Sequence, residues 1–265
     1  MDKIYNRIKE AKRIVVKVGT SSLTYSTGKL NIRQIEKLIR VLSDIRNQGR
    51  EVILVSSGAI SVGAGKLGLK ERPRETRFKQ AAASVGQCEL MYLYDKLFSE
   101  YNNTAAQILL TKSDIDEDKR VINTKNTINT LLEMGIIPVV NENDTVSTDE
   151  IEFGDNDTLS AIVAKLVEAD LLVIFSDIDG LYTADPHKDE NAKLIEIITE
   201  IDDSVKALAG DTVTNRGTGG MITKLTAAEI ATGSGIDMIV ANGNNVEALY
   251  TMLDGKPHGT IFTAK

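Results

Sequence analysis

Cysteine occurs once in the 265 residues, at Cys88, so no intrachain disulfide can form. Its neighbours Ala82, Val85 and Leu90 follow a helical pattern, which favours a small buried hydrophobe over a reactive thiol. No apolar run approaches the roughly 18 residues that cross a bilayer. The first residues, MDKIYNRIKEAKR, are charged from the start and lack the apolar stretch of a secretory signal, so a cytoplasmic location away from membranes is expected. A basic excess is missing too: 31 Lys and Arg against 38 Asp and Glu leave a net charge of −7. That balance disfavours a nucleic-acid partner, because phosphate-backbone binding needs a basic face. It leaves a nucleotide ligand open, since one or two well-placed lysines suffice for that. His187 and His258 have no second His or Cys at ligand spacing, and no metal site is expected from them. With 4 prolines beside 20 glycines, the chain has many turns but no low-complexity linker. Two familiar nucleotide signatures are also absent: no G-x-x-x-x-G-K-[ST] occurs, and no G-x-G-x-x-G follows the first apolar run.

Short apolar runs are plentiful instead. They are IVVKV at 14–18, VILV at 52–55, QILL at 107–110, IIPVV at 136–140, LLVIF at 171–175 and MIVA at 238–241. Most are rich in Val and Ile and continuous rather than alternating, as in parallel strands covered on both faces. Pro138 has no amide to donate, so an irregularity is expected in its strand. Between the runs lie helical patterns. From Asn31 onward, Ile32, Ile35, Leu38, Ile39, Leu42 and Ile45 trace one face, with Asn31 placed to cap the start and Gly49 the end. Further helices are expected near 74–99, 120–134, 156–168, 202–209, 219–233 and 245–253. Strand–helix alternation over the whole length predicts an α/β three-layer sandwich with a mostly parallel central sheet between helices. No repeat or linker marks a boundary, so residues 1–265 are expected to form one domain, with a substrate-binding N-terminal half and a nucleotide-binding C-terminal half. A chain this long buries about three-quarters of its unfolded surface and needs no disulfide or structural metal.

In open α/β sheets, ligands sit beyond the carboxyl ends of the strands. The polar and glycine-rich segments fall at those places: KVGTSSL at 17–23, SSGAI at 56–60, NENDTV at 141–146, GDNDTLS at 154–160, SDIDGLYTADP at 176–186 and GTGGMITK at 217–224. Successive glycine amides at a helix start form a concave anion site, and Gly217, Gly219 and Gly220 supply one, with Lys224 a helical turn further on. A plain loop would account for the glycines alone, but not for Thr218, Thr223 and Lys224 beside them. Lys17 lies inside an apolar strand, where an unpaired ammonium costs several kcal/mol. It either snorkels to water at the strand end or sits at the sheet's carboxyl edge opposite Lys224, both ammonium groups on a transferring phosphate. Phosphoryl transfer asks mainly for positioning and charge neutralisation. The acidic stretch with Glu142, Asp144, Asp149, Glu150, Glu152, Asp155 and Asp157 is either a solvated loop or the wall of an amino-acid cleft. Such a cleft needs an anion for the ammonium group and amide donors for the carboxylates, and Asp144, Asn141 and Asn156 suit it. Asp155 or Asn156 is placed to cap the following helix. Between two lysines, Asp157 would hold both ammonium groups in place.

Taken together and in this order, VVKVGTSSL, VSSGAI, VVNENDTV, FGDNDTLSA, SDIDGLYTADP and GTGGMITKL resemble the amino-acid kinase family over about residues 13 to 262. Within it they are similar to the branch that phosphorylates the side-chain carboxylate of L-glutamate with ATP, the first step of proline synthesis. The resemblance implies ATP as co-substrate with Mg²⁺ carried on it. It makes Lys17 and Lys224 the pair on the transferring phosphoryl group and Asp157 the residue that orients them. Ser57, Asp144 and Asn156 would bind glutamate, and Gly19 and Gly58 would face the phosphate with their amides. Ser176, Asp177, Thr218, Gly219, Gly220, Met221, Ile222, Thr223 and Lys224 would bind ATP. Many members have Thr where Ser176 stands, and the hydroxyl is kept. The resemblance also implies proline as a feedback inhibitor, a homo-oligomer, and glutamyl phosphate reductase as a physical partner. Many relatives continue into a PUA domain, which is not expected here because the sequence stops at GTIFTAK. The open alternatives are a kinase of aspartate, acetylglutamate, carbamate or UMP, and a non-catalytic amino-acid sensor.

Overall fold

The computed structural model describes residues 2–25, 27–146, 155–186, 188–209, 220–256 and 258–265. All six apolar runs form strands: β1 (Arg13–Val18), β2 (Glu51–Ser56), β3 (Ala105–Leu110), β4 (Ile137–Glu142), β5 (Leu171–Ser176) and, numbered in chain order after a two-residue β6 (Ile197–Ile198), β7 (Asp237–Asn242). A short β8 (Thr260–Phe262) completes one eight-stranded sheet of order β3-β4-β2-β1-β5-β7-β8-β6. Every pairing is parallel except β7 with β8. The three-layer, mostly parallel architecture expected from the sequence is therefore observed.

The helices are α1 (Asp2–Glu10), α2 (Thr20–Leu23), α3 (Ile32–Asn47), α4 (Ala59–Lys66), α5 (Thr76–Ser99), α6 (Ser113–Asp116), α7 (Asp118–Glu133), α8 (Asn156–Leu166), α9 (Asp203–Leu208), α10 (Met221–Gly233) and α11 (Ala248–Leu253). Asn31 caps α3 as expected, its side chain accepting from Gln34 N at 3.2 Å, and Gly49 follows the helix at φ +92°.

Alternation along the strands divides the core in two. Ile14, Val16 and Val18 of β1 face one layer with Ile35, Leu38 and Leu42 of α3 and Leu90 and Tyr94 of α5. Val15 faces the other, with Ile128 of α7, Leu159 and Val163 of α8 and Leu225 and Ala228 of α10. Lys17 shares the parity of Val15, so its side chain leaves the sheet on the face covered by α8 and α10.

Two expectations change. Cys88 is exposed, not buried. The core face of α5 carries Ala82, Gly86, Leu90 and Tyr94, and Cys88 falls on the opposite side of the helical wheel. Pro138 does not interrupt the sheet on the β3 side, where it stays in register with Ala106. Ile137 N donates toward β3, to Thr104 O, so the next nitrogen turns toward β2. There the pairing begins only at Leu54 with Val139, one residue after the proline.

Candidate active site

All the strands from β1 to β5 run the same way, so Val18, Ser56, Glu142 and Ser176 end at one edge of the sheet. Asp155 builds the entry to α8 there: its Oδ1 accepts from the backbone N–H of Asp157 at 2.6 Å and of Thr158 at 2.9 Å. This cap fixes Asp157 in the first turn of α8, where the helix dipole favours a negative charge.

Asp157 is 0% exposed, and its carboxylate joins two lysines from distant parts of the chain. Lys17 Nζ lies 2.6 Å from Oδ1 and Lys224 Nζ lies 3.1 Å from Oδ2. Lys17 is 8% and Lys224 4% exposed, so all three charges are nearly out of water. Burial by itself would push the Asp157 carboxyl up, but Lys17 and Lys224 together outweigh it and hold it down at about 2. The trio sums to one positive charge, an excess that an anion can neutralise. Thr223 lies 3.2 Å from Asp157 Oδ2 and 2.8 Å from the carbonyl oxygen of Gly220, which ties the first turn of α10 to the same carboxylate. Burial, and the neighbouring Asp157, push the Asp155 carboxyl up against the pull of its two backbone donors and Lys17.

Other site residues expected from the sequence lie along the same edge. Gly19 follows β1, and a side chain built there would start 3.6 Å from Lys17 Nζ. Gly58 has φ +97° and forms the N-cap of α4, a conformation that favours glycine. Ser57 follows β2 and donates its N–H to Val18 O at 3.2 Å. Asp144 sits half-buried in the turn after β4, its carboxyl raised by burial against the opposing charge of Arg72. Ser176 ends β5 nearly buried, its hydroxyl donating to the exposed Asp177 at 3.0 Å. Gly220 caps α10, Met221 is half-buried, and Ile222 is exposed. Thr218 and Gly219 lie outside the described residues, as do Gly217, Asp149, Glu150, Glu152 and His187; His258 is exposed.

A neutral network beside this cluster was not anticipated. Asn156 Nδ2 donates to Ser56 O at 2.8 Å and to Asn141 Oδ1 at 2.9 Å, and Asn141 Nδ2 donates to Gln87 Oε1 at 2.9 Å. Ser56 Oγ and Tyr94 OH form a buried hydrogen bond at 2.8 Å. Gln87 and Tyr94 come from α5, and the sequence signal was there. Both are polar-tipped residues at helical spacing on the apolar stripe formed by Ala83, Leu90 and Leu97.

The sequence matches the Amino acid kinase family over residues 12–242. It is 56% identical over 262 residues to a glutamate 5-kinase of Clostridium perfringens (strain 13 / Type A), covering 97% of each chain. It is 53% identical to a glutamate 5-kinase of Carboxydothermus hydrogenoformans (strain ATCC BAA-161 / DSM 6008 / Z-2901) over 259 residues, 97% of this chain and 69% of that one. In fold it is similar to a carbamate kinase from Giardia lamblia, with a TM-score of 0.66 at 17% identity over 97% of this chain and 100% of the other. An isopentenyl phosphate kinase superposes equally well, with a TM-score of 0.66 at 17% identity, covering 95% and 100%.

Proposed function

Because this chain belongs to the amino acid kinase family, we propose that it transfers the γ-phosphate of ATP to the side-chain carboxylate of L-glutamate, giving L-glutamyl 5-phosphate and ADP. The observation that carries the chemistry is the pair of buried ammonium groups on one carboxylate at the C-terminal edge of the sheet. The substrate follows from the likeness to glutamate 5-kinases along nearly the whole chain.

Lys17 and Lys224 stabilise the charge on the transferring phosphoryl group, and Asp157 keeps their ammonium groups facing the same point. The attacking carboxylate is already ionised at neutral pH, so the reaction needs no general base. A donor set made of lysines and backbone amides fits that requirement. Ser57, Asp144 and Asn156 hold glutamate, while the amides at Gly19 and Gly58 face the phosphates. Ser176, Asp177 and the segment 218–224 hold ATP. Mg²⁺ carried on ATP would add charge neutralisation to that of Lys17 and Lys224.

Five finer statements belong to the same proposal; the oligomer, the reductase and proline rest on the family resemblance, the single domain and the location on the sequence pattern. Residues 1–265 act as one kinase domain; the enzyme is a homo-oligomer that can associate with glutamyl phosphate reductase; proline inhibits it; and it works in the cytoplasm. None of the helices among the described residues is long and apolar enough to cross a membrane.

ADP formation measured with glutamate, aspartate, acetylglutamate, carbamate and UMP tests the reading, with proline added in a parallel series. Turnover that depends on glutamate and falls with proline is expected. Turnover with another acceptor alone, or binding of glutamate without ADP release, would reject it.

A further inference from the structure

Three side-chain amides run from the core face of α5 to the first turn of α8, and backbone groups fix the way each one faces. Glu142 N–H donates to Asn141 Oδ1 at 2.9 Å, which identifies that end of the Asn141 amide as its oxygen. The other end is then the NH₂ group, and it donates to Gln87 Oε1. At the far end, the carbonyl of Ser56 can only accept, so the Asn156 atom 2.8 Å from it is Nδ2. The second hydrogen of that group goes to Asn141 Oδ1. Both hydrogens of the Asn156 NH₂ are thereby used, and its Oδ1 accepts no hydrogen bond among the described residues. Gln87 and Asn141 are 8% and 2% exposed, so water does not readily replace either partner.

From the sequence, Asn156 was grouped with the amide donors suited to a substrate's carboxylates. Its donors are already engaged. What it has left to offer is an acceptor, and in an amino acid the group that needs one is the ammonium.

We infer that Gln87 is a positioning residue for substrate recognition: by holding Asn141, it sets the Asn156 amide so that Oδ1 meets the ammonium group of the amino-acid substrate. This rests on the proposal that the chain is a kinase of L-glutamate with Asn156 among its ligands. Gln87 itself touches neither the ammonium group nor the transferring phosphate. Its effect passes through two hydrogen bonds.

Glutarate is the probe, because it keeps both carboxylates of glutamate and lacks the ammonium group. The ratio of kcat/KM for glutamate to that for glutarate is measured in the wild type, Gln87→Met and Gln87→Glu. Gln87→Met removes the acceptor for Asn141, and the ratio is expected to fall about tenfold or more, through KM for glutamate, while kcat and KM for ATP stay within about twofold. Gln87→Glu keeps an acceptor at the same place and is expected to keep the wild-type ratio. The proposal is overturned if Gln87→Met weakens both acceptors equally, if it leaves the ratio unchanged, or if Gln87→Glu collapses the ratio as well. Gln87→Leu serves if Gln87→Met gives no cooperative melt. Failure of both apolar variants to fold while Gln87→Glu folds would assign Gln87 to packing and also overturn it. A wild type that makes no ADP with glutamate would instead sink the substrate proposal, so the two failures are separable.

Discussion

Asn156 and Asp157 are adjacent at the start of α8, yet their side chains are held by opposite means. Asp157 meets two ammonium groups in a place with almost no water, and its ion pairs close at 2.6 and 3.1 Å. Asn156 enters a run of uncharged partners, Ser56, Asn141 and Gln87, joined by hydrogen bonds of 2.8–2.9 Å. The charged side sets two ammonium groups on one shared carboxylate, which suits a group that carries several negative charges. The neutral side engages both hydrogens of the Asn156 amide internally and leaves its Oδ1 without a donor among the described residues, which suits selection among small polar molecules by shape and by that acceptor. Breaking a charge should therefore cost rate or stability heavily, while breaking an amide contact should change preference or cost little.

The largest effect is expected on the charged side. Lys224→Ala should lower kcat by about 10²–10³, as loss of one preorganised electrostatic contact typically does; steady-state ADP formation measures it, and near wild-type turnover would mean the charge has no part in the chemistry. Next comes Asp157→Asn, which leaves two buried ammonium groups without their shared anion. It should reduce the unfolding free energy by about 3 kcal/mol or more in a urea titration. A loss below about 1 kcal/mol would show that water reaches the lysines freely.

Acid supplies a milder version of the same change. The folded value of Asp157, about 2, lies below the ordinary 3.8, so the stability it contributes is complete above the ordinary value and is lost as pH falls through about 2. The amount is about 2 kcal/mol. Asp144 and Asp155, raised by burial, act with the opposite sign. The acid limb should therefore be taken as a difference between wild type and Asp157→Asn, and a difference that does not shrink below pH 4 would contradict the ion-pair account. On the neutral side, Tyr94→Phe removes one buried hydrogen bond to Ser56. It should cost about 1 kcal/mol in thermal or urea unfolding and leave kcat unchanged; a drop in kcat would mean that the neutral network also sets the rate. Smallest of all, alkylation of the exposed Cys88 should go to completion on the folded enzyme without loss of activity.

Much of this was legible before any coordinates. The strands β1, β2, β4, β5 and β7 are buried between helical layers, so their sequences are continuous apolar runs. Strand β3, at the edge of the sheet, is only partly buried but keeps the run QILL. Lys17 stood out because it breaks such a run, and Lys224 because it follows a glycine loop. Helix α4 was not legible. Its sequence, AISVGAGK, has two glycines and no apolar stripe, and reads as a loop. Those glycines reflect packing: a methyl group at Gly63 would strike the backbone of Ala82 in α5, and one at Gly86 would strike that of Ala59. Helix α1 was not expected, because its residues read only as a charged stretch without the apolar run of a signal, although Ile8 is buried in the core. The strands β6 and β8 are two and three residues long, too short to show a pattern. The partnership of Gln87 with Asn141 was hidden for a different reason. The contact joins residues 54 positions apart, and only the folded sheet brings them together.

The most direct test of the two-lysine clamp is a rapid-quench measurement of a single phosphoryl transfer in Lys17→Ala with ATP and glutamate saturating. A chemical step slowed by about 10²–10³, in a protein whose melting is otherwise cooperative, is the predicted result. A step at the wild-type rate would contradict it, because the Lys17 ammonium beside Asp157 would then be only part of the scaffold.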